Sequence, residues 1–369
     1  MPLKYPTHKA EVDVEPIQLL SPDGELVSRE DVPIDVTAEL CRDFYRRMTL
    51  ARRLDTQALN LQRQGELGLW LQCWGQEAAQ VGSVTAIRPE DWVFPSYRDH
   101  AAALCRGITP AELLSQWRGC AASGWDPYRY RFGVYTLVLA AQLPHATGFA
   151  MGVLRDGADE IVLTYFGDGA SSEGDASESF NWAATAQAPV LFFCQNNQWA
   201  ISTPSAAQTR TALHQRAAGF GLTSYLVDGN DVLAVHAVTR LAAAGIRAGN
   251  GPALVEARTY RMGGHSTSDD PRRYRTAGEL EQWRALDPID RLRLLLDRRD
   301  WADGAFYDAL AREADDLAAD VRRTCLRLQP PALAELFDEV LAGPSAPLAE
   351  EREEHLAYLG GFVTEDATA

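Results

Sequence analysis

Two short polar segments, each directly after an apolar run, carry the side chains of this chain that are best suited to chemistry. Asp168 lies in Gly167-Asp-Gly169 after the run 161–166, and Asn197 follows the run 189–194, 29 positions after Asp168. Mg²⁺ prefers carboxylate and carbonyl oxygens and usually shares them with phosphate oxygens and water. Asp168, Asn197 and a backbone carbonyl just after Asn197 therefore predict a metal and diphosphate site.

The elements around these residues predict how they are brought together. Both apolar runs have the length and the β-branched and aromatic content of buried parallel strands. Gly167-Asp-Gly169 is expected to turn the chain so that a helix starts at Ala170, with Glu173 and Asp175 near its first turns. A helix start binds anions through free N–H groups, and glycine lets the backbone approach a ligand closely. Strand, helix and strand make one βαβ unit.

Other phosphate-binding motifs fit these residues less well. A dinucleotide fingerprint requires a third glycine where Ser172 lies, and the P-loop pattern Gly-x-x-x-x-Gly-Lys-Ser/Thr does not occur. For Gly-Asp-Gly alone, or Asn-Asn alone, an ordinary turn is the favoured interpretation. Because both motifs follow apolar runs at a suitable interval, their combination favours the metal and diphosphate site.

Composition restricts the class of protein. The chain has 369 residues, 46% hydrophobic and 23% charged, which is typical of a globular protein with one large or two smaller domains. A formal net charge of −16 argues against nucleic acid and anionic membrane as partners. Its six cysteines form no C-x-x-C pair, which favours a reducing compartment without a zinc site. No signal-like or membrane-spanning apolar run is found, so we expect a cytoplasmic location.

Three regions are predicted along the chain. Residues 1–36 read as an extended N-terminal arm, 37–275 as an α/β domain with a parallel sheet covered by helices on both faces, and 276–369 as a helical C-terminal region. In parallel sheets, ligands bind at the carboxyl ends of the strands. We expect Asp168, Asn197 and the segment after Tyr260 to meet there.

Several element boundaries are also predicted. Helices are expected over 37–64 and 75–87, and capping boxes at Thr109-Pro-Ala-Glu112 and Thr276-Ala-Gly-Glu279 indicate two further helix starts. A short strand, 92–94, is expected to be followed by a helix that begins with Tyr97 and Arg98. Arg98 would then be placed to pair with phosphate, although a surface arginine beside a half-buried tyrosine is the simpler interpretation.

The segment Arg261 to Arg275 is polar, contains glycine and lies between a predicted strand and a predicted helix, so we expect a mobile surface loop. His265 is its one side chain whose ordinary pKa lies near neutrality. Most histidines in such loops are solvated and have no function. The position of His265 just past a strand that leads to the predicted site makes it a candidate functional residue.

These motifs together carry a resemblance to a known family. Over about residues 17–340, the chain resembles the alpha subunit of the thiamine diphosphate-dependent, decarboxylating component of 2-oxoacid dehydrogenase complexes. The matching segments are Gln62-Arg-Gln-Gly65, Gly75-Gln-Glu-Ala78, Phe94-Pro-Ser-Tyr-Arg98, Gly167-Asp-Gly-Ala-Ser-Ser-Glu-Gly-Asp175, Asn196-Asn-Gln-Trp-Ala-Ile-Ser-Thr203, Val227-Asp-Gly-Asn-Asp231 and His265-Ser-Thr-Ser-Asp-Asp-Pro271.

The resemblance implies roles for individual residues. Asp168, Asn197 and the carbonyl of Trp199 would bind Mg²⁺, and His265 would reach the diphosphate and the reacting centre as the catalytic residue. The diphosphate of thiamine diphosphate would be held by Tyr97, Arg98, Gly167, Gly169 and Ala170. Further positions beside the cofactor would be Leu137, Leu139, Gln142, Gln195, Ala200 and Ile201.

The resemblance also implies partners and a reaction. Family members are α₂β₂ assemblies in which the β subunit holds the aminopyrimidine ring and supplies the glutamate that activates it. A small 2-oxoacid loses CO₂, and the acyl group passes to the lipoyl group of an acyltransferase core. Because a positioned proton-transfer group is worth about 10² to 10⁴ in rate, this chain alone is expected to be nearly inactive.

The chain departs from the family pattern in places. Residues 125–132 replace a Gly-Arg-x-Met-Pro-x-His loop that many relatives have, while Leu137 and Gln195 are closer to bacterial pyruvate members than to branched-chain members. The Asp-Gly-Asn-Asp and His-Ser-Thr-Ser-Asp-Asp segments look most like branched-chain members, which makes a branched-chain 2-oxoacid the favoured substrate and pyruvate the alternative. A catalytically silent assembly subunit of the same fold is the third hypothesis.

Overall fold

A five-stranded parallel sheet forms the centre of the computed structural model, which describes residues 14–121, 123–332, 335–338 and 341–362. The strands are β1 (Trp92–Phe94), β2 (Val162–Gly167), β3 (Val190–Asn196), β6 (Thr223–Asp228) and β7 (Ala253–Arg258), in the spatial order β1-β2-β3-β7-β6. A separate antiparallel hairpin is formed by β4 (Trp199–Ala200) and β5 (Thr203–Pro204).

Two helices precede β1, further helices separate the strands of the sheet, and the chain after β7 contains no further strand within the described residues. The helices are α1 (Ala38–Arg63), α2 (Glu77–Val84), α3 (His100–Cys105), α4 (Pro110–Trp117), α5 (Pro127–Tyr130), α6 (Gln142–Asp156), α7 (Gly174–Ala186), α8 (Ser205–Gln208), α9 (Leu213–Gly219), α10 (Val232–Arg247), α11 (Ala277–Arg284), α12 (Pro288–Arg298), α13 (Gly304–Arg327), α14 (Glu335–Asp338) and α15 (Ala346–Gly360). Among the described residues, none of these is long and apolar enough to cross a bilayer.

Both faces of the sheet are buried, as the continuous apolar character of its strands predicts. In β3, Leu191 and Phe193 join the core formed with α1, α2, α10, α12 and α13, while Val190 and Phe192 join the core formed with α6, α7 and α9. This alternation follows from the two-residue period of a strand. The predicted fold class, a parallel sheet with helices on both faces, is confirmed.

The described part of the N-terminal arm is fixed to the sheet edge. Ile17 forms a parallel bridge with Val227, and the amides of Leu19 and Leu20 donate to the buried Asp231 carboxylate at 2.7 and 2.6 Å. Leu19 and Leu20 are buried, which explains why this segment is ordered although it has little regular structure. Residues 1–13 of the predicted arm lie outside the described residues.

Some predicted element boundaries hold and others need correction. The helix start at Thr37 and the capping box at Thr109 are present. The helix expected from Ala170 begins at Gly174 instead, after a 3₁₀ turn over Gly169–Ser172. The helix expected at Tyr97 begins at His100, so Tyr97 and Arg98 lie in the turn before it.

One prediction for the C-terminal helices also changes. Thr276 caps α11, but the Glu279 carboxylate accepts hydrogen bonds from Trp199 and Tyr260 at 2.9 and 2.8 Å, so the second capping box is not closed. The sequence also predicts that the leucines of α12 (Leu292, Leu294, Leu295 and Leu296) pack on the sheet or on another subunit. Leu292, Leu295 and Leu296 are buried, whereas Leu294 is 43% exposed.

Candidate functional site

A pocket of about 590 Å³ lies at the carboxyl ends of β2 and β3. These strands are neighbours in the sheet, and Gly167 at the end of β2 is paired with Gln195 near the end of β3. All fifteen predicted site residues line this strand-end pocket: Tyr97, Arg98, Leu137, Leu139, Gln142, Gly167, Asp168, Gly169, Ala170, Gln195, Asn197, Trp199, Ala200, Ile201 and His265. The structure thus brings them together, and their individual roles stay predictions.

Gly169 explains how the chain leaves β2 so tightly. A Cβ atom added at Gly169 would lie 2.7 Å from the Cβ of Ala200, which is closer than side chains pack. The missing side chain therefore lets the 3₁₀ turn approach the β4-β5 hairpin, and this close contact positions both walls of the strand-end pocket.

Asp168 is buried with two hydrogen-bond donors. Its Oδ2 accepts from the Ser205 hydroxyl at 2.6 Å and from Gln208 Nε2 at 3.1 Å, and the residue is 3% exposed. Burial raises the pKa of the Asp168 carboxyl, while the bonds from Ser205 and Gln208 act in the opposite direction. A carboxylate has about four lone-pair sites, so acceptor capacity remains for a cation.

Asn197 and Trp199 line the pocket just after the end of β3. Asn197 donates from Nδ2 to Gln76 Oε1 at 3.1 Å and accepts from the Trp199 amide at 3.3 Å. The turn is made by left-handed residues, with φ of 73° at Gln198 and 52° at Ile201. Such conformations cost about 1–3 kcal/mol when the residue is not glycine, and they persist only where the surroundings enforce them.

Arg98 connects the 97–98 turn to the segment around His265. Its guanidinium donates to the carbonyl of Gln72 at 2.6 Å and to the carbonyl of His265 at 2.8 Å, and Nη2 lies 3.4 Å from His265 Nδ1. Arg98 is 5% exposed, so the interpretation of Arg98 as a surface arginine is wrong. The Tyr97 ring meets the His265 ring edge to face at 6.1 Å.

The segment 261–275 is held more firmly than the sequence predicts. His265 N–H donates to Asp269 at 2.7 Å, Tyr274 donates its hydroxyl proton to the same carboxylate, and both Arg261 and Arg275 are buried. Burial and the nearby Arg98 cation lower the pKa of His265 from 6.5 to about 3. The ordinary pKa of a histidine therefore does not apply to His265, whose imidazole is neutral at pH 7.

Arg261 is a pocket residue that the sequence analysis did not assign to the site. It is 1% exposed and donates to the carbonyls of Trp199 and Ile201 at 2.9 and 2.8 Å. Burial, and then the Arg98 cation, lower the pKa of Arg261 to about 10. Its position three residues after β7 was a usable signal, because β7 lies beside β3 in the sheet.

Amide side chains complete the pocket. Gln195 is clamped between Asp99 and Gln80 at 2.5 and 3.0 Å, and this ties the end of β3 to the 97–98 turn. Gln142 donates to the carbonyl of Tyr165 at 2.7 Å, yet its Oε1 is buried without a partner among the described residues. Gln76 Nε2 is buried without a partner in the same way. Orphaned polar atoms that line a pocket indicate groups that a ligand satisfies.

No group of three or more His, Cys, Asp or Glu side chains within the described ranges is arranged to hold a metal ion. This rules out a side-chain cluster of the zinc type in that part of the chain. The predicted Mg²⁺ ligands are of another kind, because they comprise one carboxylate, one amide and one backbone carbonyl.

Comparison with known proteins tests the resemblance. Residues 45–323 match the family model described as "Dehydrogenase E1 component", which is more than half of the chain. The chain is 41% identical to the 3-methyl-2-oxobutanoate dehydrogenase subunit alpha of Mycobacterium tuberculosis, with 94% of this chain and 95% of that protein covered.

Two further relatives carry different names. The 2-oxoisovalerate dehydrogenase subunit alpha, mitochondrial, of Mus musculus is 35% identical, covering 91% of this chain and 78% of that protein. The pyruvate dehydrogenase E1 component subunit alpha of Staphylococcus aureus is 36% identical, covering 84% of each. Family model, identity and coverage all confirm the resemblance stated from the sequence motifs, and the chain belongs to the dehydrogenase E1 component family.

Proposed function

We propose that this chain is the alpha subunit of a branched-chain 2-oxoacid dehydrogenase, and that the strand-end pocket binds the diphosphate of thiamine diphosphate together with Mg²⁺. The observation that carries the proposal is the convergence in one pocket of a buried carboxylate, Asp168, with two buried guanidinium groups, Arg98 and Arg261. A cation site beside an anion site is what a magnesium diphosphate requires.

The guanidinium groups support the anion half of the proposal. Their hydrogen bonds end on backbone carbonyls, the His265 ring and the Tyr274 hydroxyl, none of which is a carboxylate. Arg261 Nε is buried without a partner among the described residues. Burying a cation without a compensating anion is costly, so a bound diphosphate would offset part of that cost.

The acidic wall supports the cation half. Asp168 is buried and its pKa is raised by burial, which means that a cation next to it would stabilise the ionised form. The carbonyl of Trp199 already accepts a hydrogen bond from Arg261 at 2.9 Å. A carbonyl oxygen has two lone pairs, so one remains for a metal ion.

Thiamine diphosphate, when bound, supplies the nucleophilic carbon and the electron sink that removal of CO₂ from a 2-oxoacid needs. The residues of this chain then position the cofactor and neutralise the charge of its diphosphate. Arg98 and Arg261 neutralise the diphosphate, and Gln142 and Gln76 offer unpaired polar atoms to the ligand. His265 has a neutral imidazole, and it accepts a proton more readily once the diphosphate neutralises the neighbouring cations, Arg98 and Arg261.

The preferred substrate is inferred from the apolar wall of the pocket and from the relatives. Leu69, Leu71, Leu137, Val138 and Leu139 line the pocket, which suits an aliphatic side chain on the 2-oxoacid. The Mycobacterium tuberculosis relative is named for 3-methyl-2-oxobutanoate, a branched-chain 2-oxoacid. Pyruvate stays the second candidate, because the Staphylococcus aureus relative is named for it at 36% identity.

Part of this wall is exposed, which supports a partner subunit at the pocket. Leu137, Val138 and Leu139 are 52%, 70% and 41% exposed, and Ile201 on the other side is 52% exposed. Contiguous exposed apolar residues mark interaction surfaces. The proposed occupant is the β subunit of an α₂β₂ component, which would close the pocket and work with a lipoyl-bearing acyltransferase core.

Reconstitution of the chain with its β partner tests the proposal. We expect reduction of a ferricyanide acceptor with 3-methyl-2-oxobutanoate, dependent on thiamine diphosphate and Mg²⁺, and a kcat/KM for this substrate at least tenfold above that for pyruvate. The opposite ratio would establish the pyruvate alternative. Absence of thiamine diphosphate binding by calorimetry in the reconstituted pair would leave only the catalytically silent assembly subunit.

A further inference from the structure

A second pocket of about 520 Å³ lies at the other end of the sheet from the strand-end pocket. The guanidinium of Arg106, at its wall, donates to the carbonyls of Pro89 and Asp91, directly before β1 begins at Trp92. The pocket therefore lies at the amino end of the sheet, where the proposed cofactor chemistry has no need of a cavity.

Four arginines line this pocket, from three separate parts of the chain. Arg47 comes from α1, Arg106 ends α3, and Arg129 and Arg131 belong to the turn of α5. The one acidic residue in the lining is Asp43, which pairs with Arg47 at 2.6 Å. In a chain with a formal net charge of −16, so many cations around one cavity contrast with the overall composition. We call this cavity the arginine pocket.

Two of the four guanidinium groups, those of Arg106 and Arg129, form no ion pair within the described ranges, although the Glu112 carboxylate interacts with Arg129 electrostatically. The acceptors of Arg106 are backbone carbonyls, and its Nε is buried without a partner among the described residues. Arg129 lies over the Tyr130 ring at 5.0 Å, and no hydrogen bond or ion pair ends on its guanidinium within the described ranges. Arg131 reaches Glu160 only at 3.6 Å, with its side chain 41% exposed. Guanidinium groups that lack a close carboxylate partner are suited to bind a phosphate or carboxylate group of a ligand.

Part of the remaining lining is apolar, although Thr85, Tyr130 and His236 also line the pocket. Leu40, Phe44, Val84 and Ile87 contribute aliphatic and aromatic surface, and the size of the pocket is in the range of sites for small organic ligands. The nearby His236 is neutral at pH 7, because burial lowers its pKa to about 4. It thus adds no charge to the cavity.

We propose that the arginine pocket is a second binding site, for a small organic anion that carries a phosphate or carboxylate group on an apolar body. The charged end lies among Arg106, Arg129 and Arg131, and the body covers Phe44 and its aliphatic neighbours. Helices α2 and α3 run from this pocket to the strand-end pocket, since Gln76 and Arg98 precede their first residues and Thr85 and Arg106 follow their last. The proposal does not depend on the identity of the substrate.

Calorimetry with phenyl phosphate on the full chain tests this site, with phenol as the uncharged probe and an excess of thiamine diphosphate and Mg²⁺ present. We expect saturable binding of one phenyl phosphate per chain, at least tenfold tighter than phenol. Arg129→Gln/Arg131→Gln should weaken it at least tenfold. The matched control is Arg323→Gln, whose side chain is 54% exposed on α13 and pairs only locally with Asp320, and it should leave binding unchanged.

Three results would overturn the site. They are the absence of saturable binding, equal affinity in the double variant and in the control, and binding that is seen only when thiamine diphosphate and Mg²⁺ are left out, which would assign the probe to the strand-end pocket. If the double variant does not fold, Arg129→Gln alone keeps the test decisive. Its exposed side chain makes no internal hydrogen bond within the described ranges, and we expect it to weaken binding at least threefold.

Discussion

Asp168→Asn separates the cation role of this residue from its role in the fold. The substitution keeps the shape of the side chain and an oxygen for Ser205 and Gln208, but it removes the charge. Loss of an outer partner of a metal ligand typically costs 10- to 100-fold in affinity. Removal of a directly coordinating charge should cost more, so we expect Mg²⁺-dependent affinity for thiamine diphosphate to fall by at least about 100-fold, or about 2.7 kcal/mol.

The fold should tolerate this change. Hydrogen bonds to a charged group contribute about 1.5–3 kcal/mol each and neutral ones about 1, so the two bonds at Asp168 lose roughly 1 kcal/mol each. Relief of the buried charge, which raises the pKa of Asp168 in the native chain, acts against this loss. The net change in the free energy of unfolding without cofactor should therefore stay within about 2 kcal/mol.

The assay is calorimetry of thiamine diphosphate with Mg²⁺ on the reconstituted α and β subunits, together with urea unfolding of the chain. Asp175→Asn is the matched control, since Asp175 is an exposed residue of the same segment that does not line the strand-end pocket. Affinity in Asp168→Asn within fivefold of the native value would refute the metal assignment. A variant that fails to unfold cooperatively would instead point to a structural role.

Three further predictions concern titratable groups. His265→Ala should leave assembly intact and reduce kcat at least about 100-fold, and an unchanged rate in the reconstituted pair would remove His265 from the chemistry. Burial and Arg98 hold the pKa of His265 at about 3, so the free energy of unfolding should fall as the pH drops below 6.5. In urea unfolding, His265→Gln should therefore lose less free energy of unfolding between pH 6.5 and pH 4 than the native chain does. Equal losses would contradict this. Burial raises the pKa of Asp55 from 3.8 to about 7, although Trp70 and Cys73 donate to it, so stability is lost as pH rises through that range. The free energy of unfolding of Asp55→Asn, relative to that of the native chain, should rise by about 4 kcal/mol between pH 4 and pH 8. A difference between the two chains that does not change with pH would refute the buried charge.

The residues that could be predicted from the sequence are those whose place depends on strand order alone. Asp168 and Asn197 each follow a buried apolar run, and parallel strands deliver their carboxyl ends to the same edge. Their convergence therefore required no knowledge of side-chain packing. The same holds for α1, whose cap at Thr37 and apolar period are local features.

The features that the sequence did not reveal depend on tertiary contacts. Glu279 has the spacing of a capping box, but its carboxylate accepts hydrogen bonds from Trp199 and Tyr260 instead of from the backbone of Thr276. The sequence places the segment after Tyr260 at the strand ends, but the hydrogen bonds of Arg261 to the carbonyls of Trp199 and Ile201 depend on the packing of β7 beside β3. Local patterns thus predict where an element begins, while competing partners from distant segments decide what its side chains bind.

The same reasoning applies to the protonation state of the site. The sequence supplies only the ordinary pKa of a histidine, whereas the structure places His265 between Arg98 and Arg261 in a partly closed pocket. Arg98 also contributes to the lowered pKa of Arg261, so the two buried cations repel each other while the His265 imidazole is neutral. A polar site that is arranged before the ligand binds does not have to reorganise during the reaction. Keeping these groups together therefore lowers the free energy of unfolding, and a bound diphosphate would offset part of this loss.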